Sequence, residues 1–125
     1  MSEQKEIKAR LVKCLLESVI LQLLEENEMH GYQVIKRIRK EYGVYLGPST
    51  IYPMLNVLER KRLIRGKWET QKNRPRKTYQ LTACGRSQLH LSLKLLAQLN
   101  LKIEPQKDIP TTAEKAVQNI PSMVA

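Results

Sequence analysis

The chain contains no phenylalanine and one tryptophan, and aromatic residues make up 5% of it. An aromatic core is therefore excluded, and the 42% of hydrophobic residues must build one mainly from Leu, Ile and Val. Cysteine is scarce: Cys14 and Cys84 stand 70 positions apart, with no CxxC or Cys/His spacing around either. That excludes a disulfide framework and a zinc site, and both thiols read as buried apolar groups. No apolar run approaches the ~20 residues needed to cross a bilayer. The opening MSEQKEIKAR is polar and lacks the apolar segment of a secretory signal. With 125 residues, the expectation is one soluble cytoplasmic domain with a tail. The two histidines, His30 and His90, lie on different segments with no carboxylate pair or nucleophile-and-base spacing nearby. No catalytic residue, metal ligand or cofactor is expected.

Acidic residues are also in short supply, 12 against 22 basic, and the resulting +10 charge is concentrated. From Glu59 to Arg86 there are ten basic residues (Arg60, Lys61, Arg62, Arg65, Lys67, Lys72, Arg74, Arg76, Lys77 and Arg86), opposed only by Glu59 and Glu69. Such a segment is the footprint of a polyanion binder. Composition alone leaves two other readings open, a solvated face and attraction to an acidic membrane.

Apolar residues from Ile7 to Leu24 recur in pairs about four apart, which predicts a long amphipathic helix over about 7–26. ENEMHG interrupts it, with Asn27 or Glu28 as candidate caps for a second helix over about 30–42 that Gly43 ends. A third helix follows in GPSTIYPMLNVLERKRLI, where Ile51, Met54, Leu55 and Leu58 form one apolar face. Pro53 lies inside that pattern. Either Thr50 caps the helix and Pro53 falls in the first turn, or the helix starts at Pro48 and Pro53 leaves a carbonyl without its donor. Strand-like residues 63–69 and 77–81 flank TQKNRPR, which predicts a β-hairpin over about 63–81 with a basic loop. The leucines after Thr82 nearly alternate, yet Leu, Lys, Gln and Ala favour a helix capped by Thr82. On a helix they spread over an arc of about 200°, wide enough for the domain's own core and for a second copy of the chain. Residues 104–125 carry three prolines and little periodicity; a flexible tail is expected, with a short helix near 113–118.

The predicted class is mainly α with a small β-hairpin: a winged helix-turn-helix with an added C-terminal dimerisation helix. Residues 1–86 form the DNA-binding domain and 82–103 the dimerisation helix. Opposite the apolar face of the third helix stand Ser49, Tyr52, Pro53, Asn56 and Arg60, side chains suited to phosphates and base edges.

The segments HGYQVIKRI, GPSTIYPMLNVLE and NRPRKTYQLT, with Leu63–Ile64, Trp68–Glu69 and Gly85–Arg86, resemble the PadR family of winged-helix transcriptional regulators. The resemblance runs from about Val19 to Leu89. It implies a homodimer on a palindromic operator in double-stranded DNA, usually as a repressor. By position it implies recognition-helix contacts from Ser49, Thr50, Tyr52 and Asn56, joined by Arg60, and wing contacts from Arg74, Arg76 and Lys77. Dimerisation falls to Leu89, Leu93, Leu96 and Leu99 of the last helix with Leu15 and Val19 of the first. Tyr32 reads as a buttress of the second helix and Trp68 as a packing residue of the wing. Relatives sense aromatic or cationic compounds at the dimer interface, but the last helix here has no aromatic residue, so the sequence supports no small-molecule effector. Arg62 stands where the family has a glycine, which would place a non-glycine residue in a left-handed turn. The alternative function is a winged-helix adaptor, or a general nucleic-acid binder without sequence preference.

Overall fold

The computed structural model describes residues 2–71 and 74–105. The elements in chain order are α1 (Ser2–Cys14), α2 (Leu16–Glu26), β1 (Met29–His30), α3 (Gly31–Tyr42), α4 (Pro48–Arg60), β2 (Ile64–Gln71), β3 (Arg74–Leu81) and α5 (Ala83–Ile103). The chain divides into two compact units, residues 1–89 and 90–125. The expected short helix near 113–118 lies outside the described residues.

In the first unit, α2, α3 and α4 enclose a core of Leu16, Ile20, Leu23, Val34, Ile38, Ile51, Leu55 and Leu58, joined by Ile64 of the sheet and Leu89 of α5. Tyr79 is its one aromatic member, in keeping with the composition. The single N-terminal helix expected from periodicity is two helices. The break falls at Leu15 (φ −100°, ψ 14°), although the Leu15 and Val19 amides still bond the Leu11 and Leu15 carbonyls at 3.0 and 2.9 Å. No Gly or Pro marks the break, so the pattern could not show it. Val19 of α2 and Leu89 of α5 are buried in the protomer's own core. They are thereby corrected from dimer contacts to core residues. Cys14 and Cys84 are both exposed, against the expectation of buried thiols: Cys14 lies on the face of α1 that carries the exposed Ile7 and Leu11, and Cys84 in the first turn of α5.

The sheet has three antiparallel strands in the order β1-β3-β2. β1 pairs Met29 with Tyr79 and His30 with Thr78; a two-residue strand has no periodicity by which a sequence could mark it. The hairpin register runs from Ile64 opposite Leu81 to Gln71 opposite Arg74. The loop is therefore shorter than TQKNRPR, because Thr70 and Pro75 are still paired in the ladder. Pro75 is tolerated there because β1 reaches only Thr78 and Tyr79 and leaves that flank of β3 open.

The connections carry the angles. Gly43 takes the left-handed conformation (φ 68°) and ends α3, its amide bonding the Arg39 carbonyl. After α4 the same conformation falls on Arg62 (φ 63°). The Leu63 amide bonds the Leu58 carbonyl at 3.0 Å and the Arg62 amide bonds Glu59 at 2.9 Å. With Leu58 and Leu63 both buried, this is a Schellman ending with arginine in the glycine place. Thr82 joins wing to α5: its hydroxyl accepts from the Gly85 amide (3.0 Å) and lies 2.8 Å from the Arg62 carbonyl. A Cβ at Gly85 would stand 2.0 Å from the Leu63 carbonyl oxygen, so only glycine fits.

Candidate nucleic-acid interface

Helix α4 begins at Pro48, with Gly47 as its cap. Of the two starts that the sequence allowed, this is the one that leaves Pro53 inside the helix. Without an N–H, Pro53 cannot bond the Ser49 carbonyl four residues back. Ile51, Leu55 and Leu58 anchor one side of α4 in the core. The opposite side presents Ser49, Tyr52, Pro53, Asn56 and Arg60 to solvent, while Thr50 is half-buried beside them. Tyr52 does not stand free. A Cβ on Gly31 would lie 2.5 to 2.7 Å from its ring and hydroxyl, so the phenol is seated on the first residue of α3.

The hairpin separates the three basic residues assigned to it. In the register, Ile64, Gly66, Trp68 and Thr70 share one face with Leu81, Tyr79, Lys77 and Pro75. Arg65, Lys67 and Glu69 share the other with Gln80, Thr78 and Arg76, and Arg74 continues that face. Arg74 and Arg76 are exposed. Lys77 points instead to the face that meets α4, where its ammonium donates to Glu59 Oε1 at 2.8 Å. The rings of Trp68 and Tyr79 lie 5.6 and 5.5 Å from that ammonium. The bond to Glu59 holds Lys77 above the ordinary lysine range. Lys77 is thus committed within the protein.

Between α3, α4 and the wing lies a groove of about 470 Å³, lined by His30, Tyr32, Tyr52, Asn56, Trp68 and Arg76 among others. Tyr32 and Trp68 are 61% and 66% exposed. Neither is the buttress or packing residue expected from the sequence. Each lies beside a cation, Lys36 over Tyr32 at 5.5 Å and Lys77 over Trp68. Burial first, and then the charges of Arg76 and Lys36, pull His30 below the ordinary imidazole range, so it is neutral at physiological pH. Its backbone N–H donates to Gln33 Oε1 at 3.1 Å, the capping of α3 that the sequence had placed on Asn27 or Glu28.

Sequence reasoning missed Glu59, Gly66 and Gly31. The one signal in the sequence was Glu59 itself, one of only two acids in the basic segment. Among the described residues no group of three His, Cys, Asp or Glu could hold a metal, and no helix is long and apolar enough to cross a membrane.

A model of the PadR-like family of transcriptional regulators matches residues 20–91. One curated relative, an uncharacterized 37.1 kDa protein in a transposon of Streptomyces fradiae, is 32% identical over 85 residues. The match takes in 68% of this chain, which spans about a quarter (24%) of that relative's length. Among solved structures, a PadR-like transcription factor from Bacteroides fragilis superposes with a TM-score of 0.68 at 28% identity, over 78% of this chain and 95% of that one. A PadR family regulator from Clostridium difficile gives 0.62 at 26%, over 71% and 93%. The PadR of Bacillus subtilis, in complex with operator DNA, gives 0.57 at 25%, over 86% and 59%. The chain belongs to the PadR-like family of transcriptional regulators.

Proposed function

We propose that the protein is a sequence-specific, double-stranded DNA-binding transcriptional repressor of the cytoplasm, acting as a homodimer on a palindromic operator. The observation that carries the reading is the continuity of two exposed surfaces. The outer row of α4, with Ser49, Tyr52, Asn56 and Arg60, adjoins a wing that carries Arg74 and Arg76. A helix of about 10–12 Å diameter fits the major groove. The wing arginines then reach the flanking backbone or minor groove. The operator complex of the Bacillus subtilis relative supports the same use of the fold.

The dimer reading rests on α5, where Leu91, Leu93, Leu95, Leu96, Leu99 and Ile103 are all exposed. Six large apolar side chains along one helix end are more than a monomer's surface leaves open. Leu15 of the N-terminal helices is exposed as well. Residues 1–86 would bind DNA and 82–103 would pair the subunits; a dimer then presents two recognition helices about one helical turn apart.

The test is a panel of alanine variants on two duplexes, one recovered from random-sequence DNA with the wild-type protein and one scrambled. Tyr52→Ala and Asn56→Ala should weaken binding to the recovered duplex alone, by about 1–3 kcal/mol each. Arg74→Ala and Arg76→Ala should weaken both duplexes similarly and make the log–log salt dependence shallower by ~0.9 per lost phosphate contact. Equal losses on both duplexes for all four variants would favour a general polyanion binder instead.

A further inference from the structure

We propose that Glu59 is a positioning residue that ties the wing to the recognition helix, with Lys77 as its partner and Gly66 as the seat between them, and that this tie sets discrimination between DNA sequences. The inference rests on the reading of α4 and the wing as the DNA-contacting pair. Glu59 is the next-to-last residue of α4, and it reaches both strands of the hairpin. Its Oε1 accepts from the Lys77 ammonium of β3 at 2.8 Å, and its Oε2 accepts from the Gly66 amide of β2 at 3.3 Å. β2 is an edge strand, so the Gly66 N–H would otherwise face water. Gly66 also makes room for the ion pair. A Cβ there would lie 2.2 Å from Lys77 Cε and 2.9 Å from Glu59 Oε2. The lysine therefore crosses directly over the glycine to reach the carboxylate, with Trp68 and Tyr79 flanking it.

The charge pattern makes this arrangement informative. Glu59 stands at the start of the most basic stretch of the chain, where a carboxylate repels phosphate and holds a cation away from it. For polyanion binding alone, such a residue is a handicap. Its geometry offers a compensating use: two bonds from one side chain of the recognition helix fix where the wing arginines stand relative to Tyr52 and Asn56. The side chains of Glu59 and Lys77 are 32% and 23% exposed, so the pair is screened by water less than a surface ion pair.

Three variants separate positioning from charge. Gly66→Ala changes no charge, and the group it displaces is the far end of a flexible lysine, so the fold is retained. The ratio of affinities for the recovered and scrambled duplexes should fall roughly tenfold, the cost of about one mismatched base pair. Glu59→Gln should lower the same ratio while raising affinity for the scrambled duplex. Its salt dependence should steepen by ~0.9, as the freed Lys77 finds a phosphate. Lys77→Gln should lower the ratio and leave the salt dependence as in the wild type. An unchanged ratio in Gly66→Ala and Glu59→Gln overturns the proposal, as does a shallower salt dependence in Lys77→Gln, which would make the lysine an ordinary phosphate contact. Hydrogen exchange without DNA gives an independent readout. In Glu59→Ala, which removes the acceptor altogether, the Gly66 amide should exchange at least tenfold faster, and unchanged exchange overturns the tie itself. If the wild-type protein discriminates between no duplexes, the DNA reading fails, and the exchange result alone decides the tie.

Discussion

Arg62 occupies a conformation that costs an L-residue about 1–2 kcal/mol, while glycine adopts it freely. Arg62→Gly should therefore raise unfolding stability by roughly 1 kcal/mol in chemical denaturation. It should also loosen DNA binding on every duplex alike, since a positive charge beside the wing is lost. Gly85 is the opposite case. Its missing Cβ accommodates the Leu63 carbonyl at a distance no side chain could share, and because the obstacle is backbone it cannot swing away. Gly85→Ala should cost at least about 3 kcal/mol, and expression without a cooperative melting transition would be an equally telling result. His30 brings pH dependence. Its folded value lies below the ordinary ~6.5, so the fold favours the neutral imidazole. That contribution is complete above about pH 6.5 and is lost as pH falls through the depressed folded value. His30→Gln should flatten the decline of melting temperature on acidification over that window. Arg62 was visible in the sequence as a departure from a pattern. The roles of Gly31, Gly66 and Gly85 were not, because each depends on what approaches from a distant part of the chain.

Helix α4 shows how far periodicity carries. The spacing of Ile51, Leu55 and Leu58 located both its buried side and, by subtraction, its outer row. Propensity could not decide where the helix begins, since Pro48 and Thr50 are both good starts. The observed start leaves the Ser49 carbonyl without a helical donor. Pro53→Ala supplies that N–H, and the melting temperature should rise; an unchanged or lower value would contradict the account of the proline. The hairpin was legible in its composition and its approximate extent, though its register was not. Two further things escaped: β1, which is too short to carry a pattern, and the division of the wing's basic residues between two faces. Consecutive strand residues point to opposite sides, so RPRK cannot deliver all its charges to one surface. Arg74 and Arg76 share a face, and Lys77 is turned toward α4. The break at Leu15 left no trace because the helical hydrogen bonds run through it nearly unbroken.

In a leucine-rich α5, burial separates a residue of the protomer's core from the exposed leucines on which the proposed dimer rests. Leu89 is fully buried in the first unit, so Leu89→Ala should cost the protomer about 2–5 kcal/mol of stability. Leu96 and Leu99 are exposed. Leu96→Glu with Leu99→Glu should leave the protomer folded by circular dichroism, shift sedimentation to the monomer, and weaken DNA binding together with assembly. The sequence placed all of these on one helix but could not tell core from partner surface, because an arc of 200° contains both. The most direct test of the central claim is selection of bound duplexes from a random library at near-physiological salt. An inverted repeat with half-sites about one helical turn apart is the expected result. Enrichment of no sequence, with binding that disappears as salt rises, would contradict a sequence-specific dimeric regulator and leave a protein that answers only to charge.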